Sequence, residues 1–473
     1  MMSEPDMERL MNRIIQAALD RGADFADLRI TDATATAISV EDGRADSISS
    51  ARKRGAGLRV LVDGAWGFAP TNQPAEAEML RCVDDAIEMA RSAAPYVTDQ
   101  GMVAEIEPAR GEAGKPPRIR PDSVPLKDRV QRVFELERAA RESAPEKIAN
   151  TTAGYSDGSG EMFLANSFGT FLHYGGTGTS IGVQVVATDG ETRQRAVQRR
   201  ANRSGYELVA DLDIEALGKE TAEKAVSLLT AERAPAGTFD VIIDQRICGL
   251  LVHEAFGHNS EADAVWVGDS ILAGKLGEQV AAETVTIVDD PTLLGHNGSF
   301  EYDHEGVPAQ RHVIVENGIL KGYLHSLETA ARFGVAPGGS ARAEGHQSQP
   351  IVRMSNTAIE PGETSLEDMM AEMDKGLYLT GGYWGYVFTG QGQFTCNVEH
   401  AYAIENGKLG THYRNVCISG RTLETLQKVT AVGNDQQFEL GGTCGKGGQG
   451  MPVDAGGPHL RISQVVVGGQ SVG

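Results

Sequence analysis

No apolar run in the 473 residues approaches the ~18 needed to span a membrane. The start, Met1-Met2-Ser3-Glu4-Pro5-Asp6, has neither the basic residues nor the apolar stretch of a signal peptide. Both absences lead to the expectation of a soluble, cytoplasmic protein. Cysteine is scarce: five residues, Cys82, Cys248, Cys396, Cys417 and Cys444, lie far apart. An odd, scattered set in a reducing compartment argues against a disulfide framework, so most are expected to be buried thiols. Positive charge is in deficit, with 43 basic against 65 acidic side chains and a net charge of −22. Such a surface repels phosphate backbones and anionic lipid, and no local basic patch offsets it. Nucleic acid and membrane are therefore not expected partners. There is no repeat of solenoid period. No G-x-S-x-G announces serine-hydrolase chemistry.

What is abundant is glycine, at 57 residues, beside 41% hydrophobic content. Composition and length together describe a strand- and turn-rich globular chain of two or more domains. Leu10, Ile14, Ile15 and Ala18 line one face of a first helix that stops near Gly22. Strands are expected over Asp27 to Thr31, Thr34 to Val40 and Gly57 to Val62, with Asp63-Gly64 as a hairpin turn. A second helix starts near Pro74 and carries Leu80, Val83 and Ile87. The Pro- and Gly-rich stretch 101–125 reads as a surface linker. A helix near Leu126 to Arg141, several strands between Lys147 and Val197, and a helix near Ile214 to Leu229 follow. Pro235-Ala236-Gly237 marks the expected boundary. The fold class is α+β in two domains. Residues 1–235 form an N-terminal α+β domain. Residues 236–473 form a C-terminal strand-rich, mostly antiparallel domain, opening with a strand to Ile243 and an apolar helix through Leu250-Leu251-Val252.

That helix runs into His253-Glu254-Ala255-Phe256-Gly257-His258. The pattern H-E-x-x-x-H is one residue longer than the H-E-x-x-H of zincins. At ~100° per residue, positions five apart point ~140° from each other on an ideal helix. Two imidazoles so placed share one ion poorly, unless a π-type turn returns them to one face. The spacing predicts such a turn, eased by Gly257. Imidazoles are good zinc ligands, and a catalytic zinc keeps three protein ligands and one open position. Glu254, next to the first histidine, is placed to take a proton from water and deliver it to a leaving amine. The bland alternative is a hydrogen-bonded histidine pair at a helix end. Burial of three ionisable groups after an apolar run weighs against it.

The third ligand must come from elsewhere. Cys444 lies in Gly441-Gly442-Thr443-Cys444-Gly445-Lys446-Gly447-Gly448-Gln449-Gly450, where glycines allow close backbone approach and a thiolate is a strong zinc donor. A buried free thiol in a flexible loop is the other reading. Phosphate binding fails, since Leu440 and Gly447 break the Walker pattern. Glu261 and Asp263 are candidates for ligands or for acceptors of an imidazole N–H. Asp303-His304-Glu305 looks metal-like but lies in a turn with Gly306 and Pro308.

The chain resembles the TldD/PmbA family, once called modulators of DNA gyrase, and within it the TldD branch. Gly57-Leu58-Arg59-Val60 with Trp66-Gly67-Phe68, the H-E-x-x-x-H, Glu305-Gly306-Val307-Pro308, Arg353-Met354-Ser355-Asn356-Thr357 and Thr443-Cys444-Gly445-Lys446 carry the likeness. The resemblance implies zinc (Zn2+) held by His253, His258 and Cys444, with Glu254 as general base. It implies a peptidase acting on unfolded or short peptides, in some systems maturing a ribosomally made peptide or degrading an antitoxin. It also implies a homodimer, or a heterodimer with a metal-less PmbA/TldE-like paralogue. His304 departs from the acidic residue expected there. Two other functions stay open on sequence: a peptide-binding scaffold with a structural metal, and a zinc amidohydrolase acting on non-peptide substrates.

Overall fold

The computed structural model describes residues 3–438 and 441–469. The chain folds as α+β with three main sheets. The first is built from strands far longer than the sequence suggests. Asp27 to Thr31 and Thr34 to Val40 belong to one strand, Phe25–Glu41, paired antiparallel with Arg44–Val62 and Ile148–Asn166. Cross-strand pairing carries the ladder straight through the polar centre of these strands, which no local hydrophobic alternation marks. Ala65–Thr71 closes one end, after the expected Asp63-Gly64 turn with both residues at positive φ. Phe171–Thr188 and Arg193–Asn202 extend the other end.

Long strands carry two separate cores. At one end, helices Glu4–Asp20 and Glu76–Ala93 bury Leu10, Ile14, Met79 and Val83 against Leu28, Leu58 and Val60. At the other, Leu126–Ser143 and Ile214–Ser227 bury Val133, Leu136 and Leu217 against Val40, Tyr155 and Val183. Stretch 101–125 is not a free linker. Arg110–Ala113 pairs parallel with Phe171–Thr188, Ala104 N–H bonds Leu327 O at 3.0 Å, and Val103 and Ile106 pack beside Phe25 and Val307. Its prolines suit an edge segment, and its few apolar residues are spent on a small core that joins both halves.

The second half opens with Gly237–Ile243. This strand lies between Lys375–Phe388 and Leu460–Gly469, and the ladder continues through Val416–Arg421 and Gln393–Glu405 back to Lys375–Phe388. The strands thus close on themselves as a small barrel. A third sheet has Ile287–Asp289, Asn356–Ile359 and Gln449–Gly457 as neighbours, and Gly442–Lys446 pairs with the last of these. The helix expected at Leu250 packs between barrel and third sheet, which is why it is apolar from Ile247 onward. No helix among the described residues is long and apolar enough to cross a membrane. Cys82, Cys248, Cys396 and Cys444 are buried free thiols, and Cys417 is half-buried.

On the barrel, His400 Nδ1 lies 3.0 Å from His412 Nε2. Burial, with His412 and Lys224 adding to it, pushes His400 down to about 4. The neutral ring is thus favoured by folding. Its contribution is fully present above the unfolded value of ~6.5 and is lost as pH falls towards 4. His400→Asn is expected to be destabilising at pH 7 and to close on wild type by roughly 1–3 kcal/mol at pH 4.5. Urea midpoints at the two pH values test this, and a constant gap would refute it.

Candidate metal centre

Asp244 starts the metal-site helix. Its Oδ1 accepts from Ile247 N–H at 2.8 Å, while Oδ2 accepts from Thr380 Oγ1 at 2.5 Å and Gly381 N–H at 2.8 Å. The cap therefore fixes the helix to the barrel as well as starting it. Ile247 to Val252 are buried without exception. The α-helix Gln245–Leu251 then passes into a π-helical turn, Val252–Gly257, and a tight turn, His258–Ser260. Asn259 Nδ2 and Ser260 Oγ donate to Ala255 O and Gly257 O, ending the helix with its carbonyls satisfied. The π turn is the one expected from the histidine spacing. Gly257 serves it differently from the expectation. Its φ of −55° is ordinary for a helix, and a Cβ there would overlap the Met354 sulfur. Close packing, and not backbone freedom, excludes a side chain.

The turn brings the rings of His253 and His258 to a centroid separation of 5.2 Å. Cys444 meets them from strand Gly442–Lys446, its Sγ 3.4 Å from His258 Nε2. Donor atoms of the three residues lie within 4.8 Å of one another. Cys444 is therefore not on a loose loop. Arg353, fully buried, donates to Cys444 O at 2.6 Å and Gln449 O at 3.1 Å, pinning both strands of the hairpin.

His253 Nδ1 is buried and has no hydrogen-bond partner among the described residues. An orphaned imidazole nitrogen beside a second imidazole and a thiol fits a metal ion, which would satisfy it. Electrostatics agree. Burial raises the Cys444 thiol, but the two histidines outweigh burial and bring it down to about 5. His258 is lowered by burial, yet Glu261 and Cys444 lift it to about 10. Burial raises Glu254, with both histidines opposing.

Glu261 is an acceptor for an imidazole, as one of its two expected roles has it. Its Oε2 lies 3.0 Å from His258 Nδ1, fixing the ring's other nitrogen towards Cys444. Asp263 takes neither expected role. It receives Lys446 Nζ at 2.7 and 2.8 Å, and the same ammonium lies 3.3 Å from Glu261. Burial raises Glu261, but Lys446 and His258 outweigh it and keep the carboxyl below its ordinary value. Lys446 is the functional neighbour the sequence hid. In the motif it is one more residue of a glycine-rich run, and only the fold sets it across from two carboxylates.

Asp303, His304 and Glu305 do not join this centre. Asp303 Oδ1 accepts from the N–H groups of Glu305 and Val307, and Oδ2 from that of Ala341. His304 Nδ1 accepts from Ala343 N–H at 2.9 Å, so the ring is committed to the segment that follows strand Ala341–Arg342. Glu305 receives buried Arg59 at 2.8 Å. The cluster of ionisable groups is a docking element between the two halves.

Two imidazoles and a thiol with a carboxyl in the same helical turn form the type of site used by metal-dependent hydrolases. The comparisons narrow the class. Family models described as PmbA/TldA metallopeptidase domain 1, central domain and C-terminal domain match residues 26–90, 119–229 and 236–469. A metalloprotease of Methanothermobacter thermautotrophicus is 39% identical over 447 residues, which cover 94% of this chain and 96% of that protein. A zinc metalloprotease TldD homologue of Saccharolobus solfataricus is 27% identical over 462 residues, covering 97% and 100%. A crystal structure of a candidate modulator of a DNA gyrase from Thermotoga maritima aligns with a TM-score of 0.78 at 25% identity, over 98% of this chain and 100% of that one. The chain belongs to the PmbA/TldD metallopeptidase family.

Proposed function

We propose that the protein is a zinc-dependent peptidase that hydrolyses unfolded or short peptides. The observation that carries this reading is the convergence of His253, His258 and Cys444 on one point beside Glu254. His253, His258 and Cys444 would hold the ion. Zinc supplies Lewis acidity, polarising a carbonyl and making water more acidic. Glu254 is the proton carrier. Its carboxylate oxygen accepts a proton from the attacking water and passes it to the departing amine. Glu261 orients His258, and Lys446 keeps Glu261 anionic for that task.

The substrate must be extended. Lys375–Phe388 pairs along its length with Gln393–Glu405, but its other edge meets Gly237–Ile243 only through Leu377–Leu379. The edge from Trp384 to Phe388 has no partner strand among the described residues. Gly385, within it, faces Glu254 so closely that a Cβ would sit 2.8 Å from the Glu254 side chain. An extended peptide can add to such an edge through its backbone, and a flexible chain can bring any of its bonds into that conformation. The protein works in the cytoplasm as a homodimer or with a PmbA/TldE-like paralogue. Full activity of a monomer across dilution would remove the partner from this reading.

The test combines metal analysis with a digest. About one zinc per chain and chelator-sensitive cleavage of a flexible peptide are expected, with a compact domain left intact below its melting point. Cys444→Ser is expected to bind zinc markedly more weakly, because a soft thiolate is lost. Full zinc occupancy in Cys444→Ser would show that another residue completes the site.

A further inference from the structure

Strand Lys375–Phe388 carries a glycine, Gly385, where the strand itself gains nothing from one. Glycine offers a strand no side chain to pack and costs more backbone entropy than any other residue. Its conformation does not call for glycine either, because its φ lies outside the left-handed region. Side chains around it alternate as a strand requires. Trp384 and Tyr386 are 54% and 49% exposed, whereas Val387, on the same face as Gly385, is buried. The face of Gly385 meets the helix that leads into the candidate metal centre.

A Cβ at position 385 would enter the gap between Leu250 and Glu254, which stand about one turn apart on that helix. It would lie 2.8 Å from Glu254 Cγ, and 3.2 and 3.3 Å from Leu250 Cδ1 and Cγ. Two of the three walls of this gap are held. Leu250 is 7% exposed and seated in the main core of the second half. The strand is held by its ladder with Gln393–Glu405, where Gly385 lies opposite the fully buried Cys396. The free torsions belong to Glu254. Rotation about its Cα–Cβ and Cβ–Cγ bonds would make room for a methyl group and carry the carboxyl away.

We infer that Gly385 is a positioning residue: its missing side chain leaves the space in which the Glu254 stem lies, and so sets where the carboxylate meets the water. This inference rests on the peptidase reading, with Glu254 as proton carrier. A reacting group misplaced by about 1 Å loses on the order of 100-fold in rate. The zinc donors are untouched, because His253, His258 and Cys444 supply the converging atoms and none of them lines the gap.

The experiment compares the zinc-loaded full chain as wild type, Gly385→Ala, Glu254→Gln, the double variant and Gly382→Ala. Zinc content, thermal midpoint, kcat and KM on one flexible peptide are measured for each. Gly385→Ala is expected to lower kcat by roughly 10- to 100-fold, with KM and zinc content unchanged. In the Glu254→Gln background the same change is expected to cost nothing further, because the side chain it displaces no longer carries the proton. Gly382→Ala is the comparison. Its Cβ would meet Ile247 and Leu250 at 3.2 and 3.3 Å, so it presses on the same helix, and it is expected to keep wild-type turnover. Wild-type turnover in Gly385→Ala overturns the proposal. So does a loss of equal size in both backgrounds, or one matched by Gly382→Ala, since the methyl would then be displacing the helix as a whole. An unfolded or zinc-free Gly385→Ala protein overturns it too, because Gly385 would then serve the fold alone. Failure of the peptidase reading looks different: wild type itself leaves the peptide intact, or Glu254→Gln turns it over as fast as wild type, and the proposal falls with it.

Discussion

Glu254→Gln is expected to lower peptide turnover by roughly 10²–10⁴-fold and to leave zinc content at the wild-type level. Glutamine keeps the size and hydrogen bonding of the side chain but cannot accept the proton. The two imidazoles and the thiol that would hold zinc are untouched, because Glu254 contributes none of the three converging donor atoms. Folding should be little affected, since a carboxyl already disfavoured as an anion by burial is replaced by a neutral group. Peptide affinity should also hold, as the loss lies in the transition state. Zinc content, thermal midpoint, peptide binding and turnover on one preparation separate these effects. A zinc-replete Glu254→Gln enzyme with wild-type turnover would move the base elsewhere. The fold leaves little room for that, since Glu261 is committed to His258 and Lys446, and Asp263 to Lys446. An inactive variant that has lost zinc would make Glu254 a ligand instead.

The site was legible in the sequence where the chemistry is local. The five-residue step from His253 to His258 implies a π turn by helix geometry alone, and Val252–Gly257 forms one. Helix Glu76–Ala93 and the Asp63-Gly64 turn were legible for the same reason. Cys444 could be proposed from residue type, but its approach to the histidines depends on residues 186 positions apart. Lys446 depends on a contact across 183 positions. No periodicity encodes such pairings. The polar middle of Phe25–Glu41 failed in another way, because alternation marks where a strand is buried and not where it continues. Asp303-His304-Glu305, set aside as a turn despite its metal-like look, shows a third point. Clustered ionisable residues mark burial with compensation, and ion pairs between domains compensate as well as metals do.

That last cluster carries the largest stability effect expected. Arg59 is buried between Asp27, at 2.5 Å, and Glu305, at 2.8 Å, and all three are at most 4% exposed. The second Glu305 oxygen accepts from Leu327 N–H at 2.7 Å, and the guanidinium lies 4.5 Å from the Trp66 ring. Arg59 thus bridges two strands of the first sheet to the turn of the second half. Removing it by Arg59→Met keeps most of the volume but leaves Asp27 and Glu305 buried without the cation that pairs with them directly, with only the charge of Arg29 nearby. A loss of about 3–5 kcal/mol is expected. The sign of its pH dependence is fixed. Burial already raises Glu305, with Arg59 the main opposing influence. Without Arg59, its folded-state pKa lies further above the unfolded value. An acid raised in this way stabilises the fold below its unfolded pKa and loses that contribution as pH rises through the folded one. Arg59→Met should therefore be least stable, relative to wild type, at neutral pH and recover towards pH 5. The triple change Arg59→Met, Asp27→Asn, Glu305→Gln removes the charges together and should regain much of the loss, because the penalty comes from uncompensated burial and not from the absent pair itself. Urea unfolding of the three proteins at pH 5 and 7 decides it. A single variant within 1 kcal/mol of wild type at pH 7, or a triple variant no better than the single, would show that the two halves are held by their apolar contacts alone.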